Sequence, residues 1–137
     1  MAPRDDCIFC GIVGGKVPGR VVYEDDRTLA FLDIFPLTRG HTLVVPKRHC
    51  VNLLDARTED IVAVALTSQL MARTVSDRLG ADGVNLLQAT GKAAFQTVMH
   101  FHVHVLPRYA DDGFVLPFER TPGVDAELDE LAARLKS

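Results

Sequence analysis

The chain has 137 residues, 47 % hydrophobic and 24 % charged, with a formal net charge of −3. That length fits one domain able to build a core. No window approaches the run of about 18 apolar residues that a membrane helix needs, and the lack of a basic block argues against nucleic acid as a bulk ligand.

Met1 to Asp6 is short and polar, with acidic residues before the first apolar run, unlike a secretory signal. The three cysteines, Cys7, Cys10 and Cys50, are an odd count without such a signal, which points to free thiols in a reducing, cytoplasmic compartment. Cys7 and Cys10 stand at Cys-x-x-Cys spacing: a redox pair, two buried thiols, or half of a metal site. "GIVGGKVPGR" reads as a loop or short helical turn. "VVYEDD" has strand character and ends in an acidic turn; "TLAFLDI" is a second strand closed by Pro36; "LTRGH" turns into a third, "TLVVP", stopped by Pro46. These spacings predict an antiparallel meander.

Thr58 to Leu79 has helical periodicity, with Thr58 as N-cap, Glu59 and Asp60 in the first turn and Gly80 as the stop. "GVNLLQA" reads as a strand, "TGKAAFQT" as a loop, and "VMHFHVHVLPR" as the last long strand. "DDGF", Pro117 and Pro122 mark an irregular tail over 109–137, within which Asp125 to Lys136 forms a short helix. The order predicts an α+β fold: a mainly antiparallel sheet, one long helix and a short C-terminal helix, in one domain with its core over about 6–108.

His100, His102 and His104 alternate with Phe101, Val103 and Val105, so on a strand the imidazoles share one face and the apolar residues the other. Neighbouring histidines are then roughly 6.6 Å apart along the strand. A single zinc holds its nitrogens at about 2.0–2.1 Å, so three imidazoles on a straight strand do not close on one ion. They divide the labour, and a purely decorative row is disfavoured because each ring needs a partner to fix its tautomer.

"CIFC", "VYEDDRTLAFLDI", "GHTLVVPKRH" and "QTVMHFHVHVLPR" stand in the order and spacing of the histidine triad (HIT) superfamily of nucleotide hydrolases and transferases, which the chain resembles from about Asp6 to Arg108. The resemblance implies a HIT-like fold and cleavage at the α-phosphorus of AMP-type substrates, nucleoside phosphoramidates or dinucleoside polyphosphates. It implies a covalent nucleotidyl-histidine and release of a nucleoside monophosphate. It makes His102 the nucleophile and His104 its partner at the phosphate or leaving group. Gln96 and Thr97 would contact the phosphate and leaving-group side, and His41 would orient the active strand from behind. Asp33 would receive both ribose hydroxyls. Phe31, Ile34, Phe9, Ile12 and Val98 would line the base slot.

The plainer readings are a turn acid for Asp33, ordinary core for the apolar five and a solvated loop lysine for Lys92. In zinc-carrying members the positions of Cys7, Cys10, His49 and His100 bind one structural metal; that releases His100 from catalysis. Cys50 reads as a small buried side chain. The resemblance further implies a homodimer. Two positions depart from it: Ala89, eleven residues before His100, stands where Asn is usual, and Phe95 where Gly is frequent. Ala89 keeps open an AMP-binding sensor with little turnover; a nucleotidyl transferase or phosphorylase is a further branch.

Overall fold

The computed structural model describes residues 4–115 and 120–136; Pro117 lies outside them. After a short helix, α1 (Ile8–Val13), come three strands, β1 (Val21–Glu24), β2 (Thr28–Leu32) and β3 (Thr42–Pro46), then the long helix α2 (Thr58–Leu79). Strands β4 (Gly83–Leu87) and β5 (Val103–Arg108) follow, and α3 (Asp125–Leu135) closes the described chain. The five strands form one sheet in the order β1-β2-β3-β5-β4, antiparallel at every step.

Period-two alternation sends each strand's apolar residues to both faces. Ala30, Val44, Phe101 and Val105 meet Val64 and Met71 of α2 on one face, and Cys50 joins them. Leu29, Phe31, Leu43 and Val45 meet Phe9 of α1 on the other. A bond between the Thr28 and Thr67 hydroxyls (2.7 Å) ties β2 to α2. In α3 no residue is buried.

The meander and the long helix lie where the pattern predicts, with three local differences. The N-cap of α2 is Arg57 rather than Thr58, without a side-chain capping bond; Glu59 and Asp60 occupy the first turn and Gly80 stops the helix at φ 68°. β2 ends at Leu32 because the Asp33 Oδ1 accepts the Phe35 N–H (2.8 Å) and turns the chain. The last strand begins only at Val103 rather than Val98. Pro46, at the end of β3, has no N–H for the ladder, and its carbonyl accepts from the His100 ring instead (2.9 Å). Phe101 N–H bonds outside the sheet to the Cys50 carbonyl (2.8 Å). His100, in a bend, and His102 therefore stand on the lead-in to β5, and of the three only His104 is a strand residue.

Candidate functional site

The first turn of α1 and the ends of β3 and the β5 lead-in bring Cys7, Cys10, His49 and His100 together, their donor atoms all within 4.8 Å of one another. The His100 Nδ1 lies 3.4 Å from Cys7 Sγ, 3.5 Å from Cys10 Sγ and 3.2 Å from His49 Nδ1; Cys10 Sγ is 3.3 Å from His49 Nδ1. The edges of a zinc tetrahedron with two sulfurs at about 2.3 Å and two nitrogens at about 2.0–2.1 Å measure about 3.3–3.6 Å where a nitrogen takes part, and about 3.8 Å between the sulfurs. The donor set fits one structural zinc in chemistry and in spacing. His100 Nε2–H donates to the Pro46 carbonyl, which fixes the tautomer that turns the Nδ1 lone pair inward. Cys50, next in sequence to His49, faces the α2 core instead, where burial pushes its thiol up to about 11.

A second imidazole group adjoins the first. His102 Nδ1–H donates to the His100 carbonyl (2.7 Å), leaving its Nε2 with a free lone pair. The His102 and His104 rings lie 5.0 Å apart, and Phe9 meets His102 edge-on at 5.1 Å. His104 Nδ1 and His41 Nε2 are 2.8 Å apart. The Leu37 N–H donates to His41 Nδ1 (3.1 Å), so the proton of neutral His41 sits on Nε2 and is donated to His104 Nδ1. His104 in turn keeps its proton on Nε2.

Asp33 Oδ2 lies 3.5 Å from His41 Nε2. Asp33, His41 and His104 are close enough to share a metal ion. However, the Leu37 N–H already occupies Nδ1 of His41, so a metal at Nε2 would have to displace the ring's only proton. The Leu37 amide, His41 and His104 form a hydrogen-bond chain, with the Asp33 carboxylate beside it. Burial pushes His104 down to about 4, helped by His102 and His41, and burial also lowers His41 and His102. At neutral pH the three rings are uncharged, each with one N–H and one lone pair whose places are set by backbone groups for His41 and His102 and by the His41 ring for His104.

Phe9, Phe31, Ile12 and Val98 share one apolar cluster beneath α1, whereas Ile34 is 69 % exposed on the β2–β3 connection. The Gln96 side chain is buried and fully engaged: Oε1 accepts from Gly91 N–H (2.9 Å), and Nε2 donates to the carbonyls of Val51 (2.7 Å) and Val98 (3.0 Å). It clamps the β4–β5 connection. Thr97 is exposed; with His49, Val51, Val98 and Met99 it lines a groove of about 560 Å³ on the metal-cradle side. Lys92 opens a single 3-10 turn, Lys92–Ala94, and is exposed; Ala89 stands just beyond the end of β4. Sequence reasoning missed the partners that set the tautomers: the Leu37 amide and the carbonyls of Pro46 and His100. Backbone groups carry no signature in the sequence that would find them.

Fold and site together define a class: an antiparallel α+β protein in which a thiol–imidazole metal cradle adjoins a chain of neutral histidines. The HIT domain family model matches residues 15–111, and the chain belongs to the HIT domain family. It is 43 % identical over 130 residues to an uncharacterized HIT-like protein of Methanocaldococcus jannaschii, covering 95 % of this chain and 98 % of that one. A crystal structure from Streptococcus mutans superposes with a TM-score of 0.91 at 39 % identity, covering 96 % of this chain and 84 % of the other. A zinc-bound histidine triad family protein from Mycobacterium smegmatis superposes with a TM-score of 0.77 at 44 % identity, covering 94 % of this chain and 97 % of its own.

Proposed function

We propose that this chain is a nucleotide hydrolase that cleaves AMP-linked substrates, nucleoside phosphoramidates or dinucleoside polyphosphates, at the α-phosphorus. The observation that carries the reading is the His102 ring: uncharged, its Nδ1–H on the His100 carbonyl and its Nε2 lone pair free. That is the state a nitrogen nucleophile needs. In the first step His102 Nε2 bonds to phosphorus, the bond to the leaving group breaks, and the leaving group departs with the electron pair and takes a proton from solvent. The substituted ring is positively charged, and the His100 carbonyl that accepts its Nδ1–H stabilises that charge. Water then attacks phosphorus, the P–N bond breaks, the monophosphate leaves, and a proton returns to solvent.

His104 Nε2–H, held in that tautomer by His41, is a donor for the phosphoryl oxygens as charge builds on them. Asp33 would receive the ribose hydroxyls; Phe31, Phe9, Ile12 and Val98, with Ile34 at the rim, would face the base, and Thr97 the phosphate. Gln96 acts through the loop it clamps. Cys7, Cys10, His49 and His100 would hold zinc, which supplies no step and pins α1 to the reacting segment. Thiolate ligands favour a reducing, cytoplasmic setting.

A homodimer fits two exposed features: β4 is an edge strand with Leu86 and Leu87 in solvent, and α2 shows Val62, Leu66 and Leu70 on an outer face that carries no charge between Asp60 and Arg73. Leu66→Glu should convert the dimer to a monomer in sedimentation velocity; a wild-type monomer removes this part of the reading.

The test of the activity is a panel of AMP-linked substrates with a rapid acid-free quench. A trapped nucleotidyl adduct and turnover abolished in His102→Ala are expected. Turnover surviving that substitution overturns the mechanism. AMP binding with no member of the panel turned over would make the chain a sensor, and turnover only with inorganic phosphate as acceptor would make it a phosphorylase.

A further inference from the structure

We propose that α3 pairs antiparallel with α3 of a second copy of this chain, through the apolar stripe Val124, Leu128, Leu131 and Leu135 and with Glu127 facing the partner's Arg134. The inference rests on the homodimer reading and adds a contact that β4 and α2 do not supply.

α3 has 11 residues, no side-chain capping bond at Val124 and no buried residue. A lone helix of fewer than about 12–15 residues is marginal in water, so α3 needs a packed face. Its sequence carries one. Val124, Leu128, Leu131 and Leu135 are all exposed and follow one another at intervals of four, three and four residues. That is the a/d spacing of a helix–helix seam. The chain leaves β5 tied to the β4 side: Ala110 N–H donates to Asp82 Oδ2 (2.9 Å), and Arg108, gripped by Asp112, donates to Asn85 Oδ1 on β4 (2.8 Å). β4 is the edge strand that the homodimer reading gives to the partner. Both copies therefore send out their tails beside the same contact.

Charge chooses the partner and its direction. Asp125, Glu127, Asp129 and Glu130 crowd the first half of α3, and Arg134 and Lys136 stand at the other end. A parallel pair would set the four acids of one helix beside the same four of the other. Reversal sets acid against base. It stacks Leu128 on the partner's Leu131 and Val124 on the partner's Leu135. Glu127 and Arg134 stand one heptad apart on the same flank of the stripe, so in the reversed pair they meet the partner's Arg134 and the partner's Glu127. Flanking charges of this kind set helix orientation. A single helix also favours acids at its start and bases at its end, but the dipole asks neither for the stripe nor for charges placed beside it. Within one copy Arg134 only leans toward Glu130, 3.9 Å away with both side chains exposed, a pair that contributes little. A two-fold axis makes every contact of the seam twice.

The experiment measures the dimer dissociation constant by sedimentation over a dilution series, for wild type, Glu127→Arg, Arg134→Glu and the double variant carrying both. Each single reversal turns two attractions into two repulsions and should weaken the dimer about tenfold. The double variant restores both pairs and should return to within about threefold of wild type. Leu131→Asp, which breaks the stripe, should weaken the dimer at least as much as either reversal. Single variants that leave the constant unchanged overturn the pairing while the dimer stands. A double variant no tighter than the single ones overturns it too, and is the outcome if the charges serve only the helix dipole or if α3 docks on the body of either copy. Tighter association in Glu127→Arg overturns the antiparallel pair in favour of a parallel one. A wild type that stays monomeric removes the homodimer reading, and this inference with it.

Discussion

Two groups of histidines share one short segment and have opposite characters. Around His100 the donor atoms converge, two sulfurs and two nitrogens on one centre. Around His102 they run in series, from the Leu37 amide through His41 to His104, with His102 beside them. Residue type does not separate the groups, because imidazoles populate both. What differs is which ring nitrogen the backbone occupies. Pro46 takes Nε2 of His100 and leaves Nδ1 to the cradle; the His100 carbonyl takes Nδ1 of His102 and leaves Nε2 free. In each case one peptide carbonyl, from Pro46 far away in sequence for His100 and from two residues back for His102, decides which ring nitrogen is left free.

The contrast is broken most severely at the cradle. Cys10→Ser should reduce the metal content from about one zinc per chain toward none, with a fall in Tm on the order of 10 °C, since a structural metal contributes directly to folding. Metal analysis beside a thermal melt checks both, and a metal-free wild type with the same Tm would sink the structural role. The converse substitution, His104→Ala, should leave the zinc content intact and lower turnover by roughly 10²- to 10³-fold, the size of one lost transition-state donor. Loss of metal in that variant would mean that the two groups are not separable.

A milder probe is acid. His104 in the folded chain titrates at about 4, below the ordinary value of about 6.5. Between these values the unfolded chain binds the proton and the folded chain does not. Stability from this ring is complete above about pH 6.5 and is lost as pH falls toward about 4. Melts of wild type and His104→Gln over that range should converge as pH falls; a constant gap between them would contradict the burial of a neutral ring. The smallest effect is expected at Cys50→Ala, on the order of 1 kcal/mol by denaturant titration, with zinc content unchanged, because Cys50 faces α2 rather than the cradle.

Period-two and helical patterns carried most of the fold. Leu29, Phe31, Leu43 and Val45 against Ala30 and Val44 give two buried faces, and Thr58 to Leu79 could cover only one of them. The Cys-x-x-Cys pair and the surplus histidine made the metal cradle legible. The start of β5 was not legible: alternation of His and apolar residues continues through 100–105, whereas the ladder stops where Pro46 has no N–H to give. Nor was the clamp at Gln96, since an amide that bridges three backbone groups looks in sequence like any other glutamine. Patterns of side chains report faces; they do not report which carbonyl a ring will find.

His100 belongs to both centres, its ring in the cradle and its carbonyl on the His102 ring. Replacing zinc with cobalt would therefore put a visible chromophore on the residue whose carbonyl holds the His102 ring. Charging of the His102 ring on adduct formation would pull on the His100 carbonyl and perturb the ligand field through the same peptide unit. The absorption band of the substituted protein would then follow the adduct in real time, from a metal that takes no part in making it.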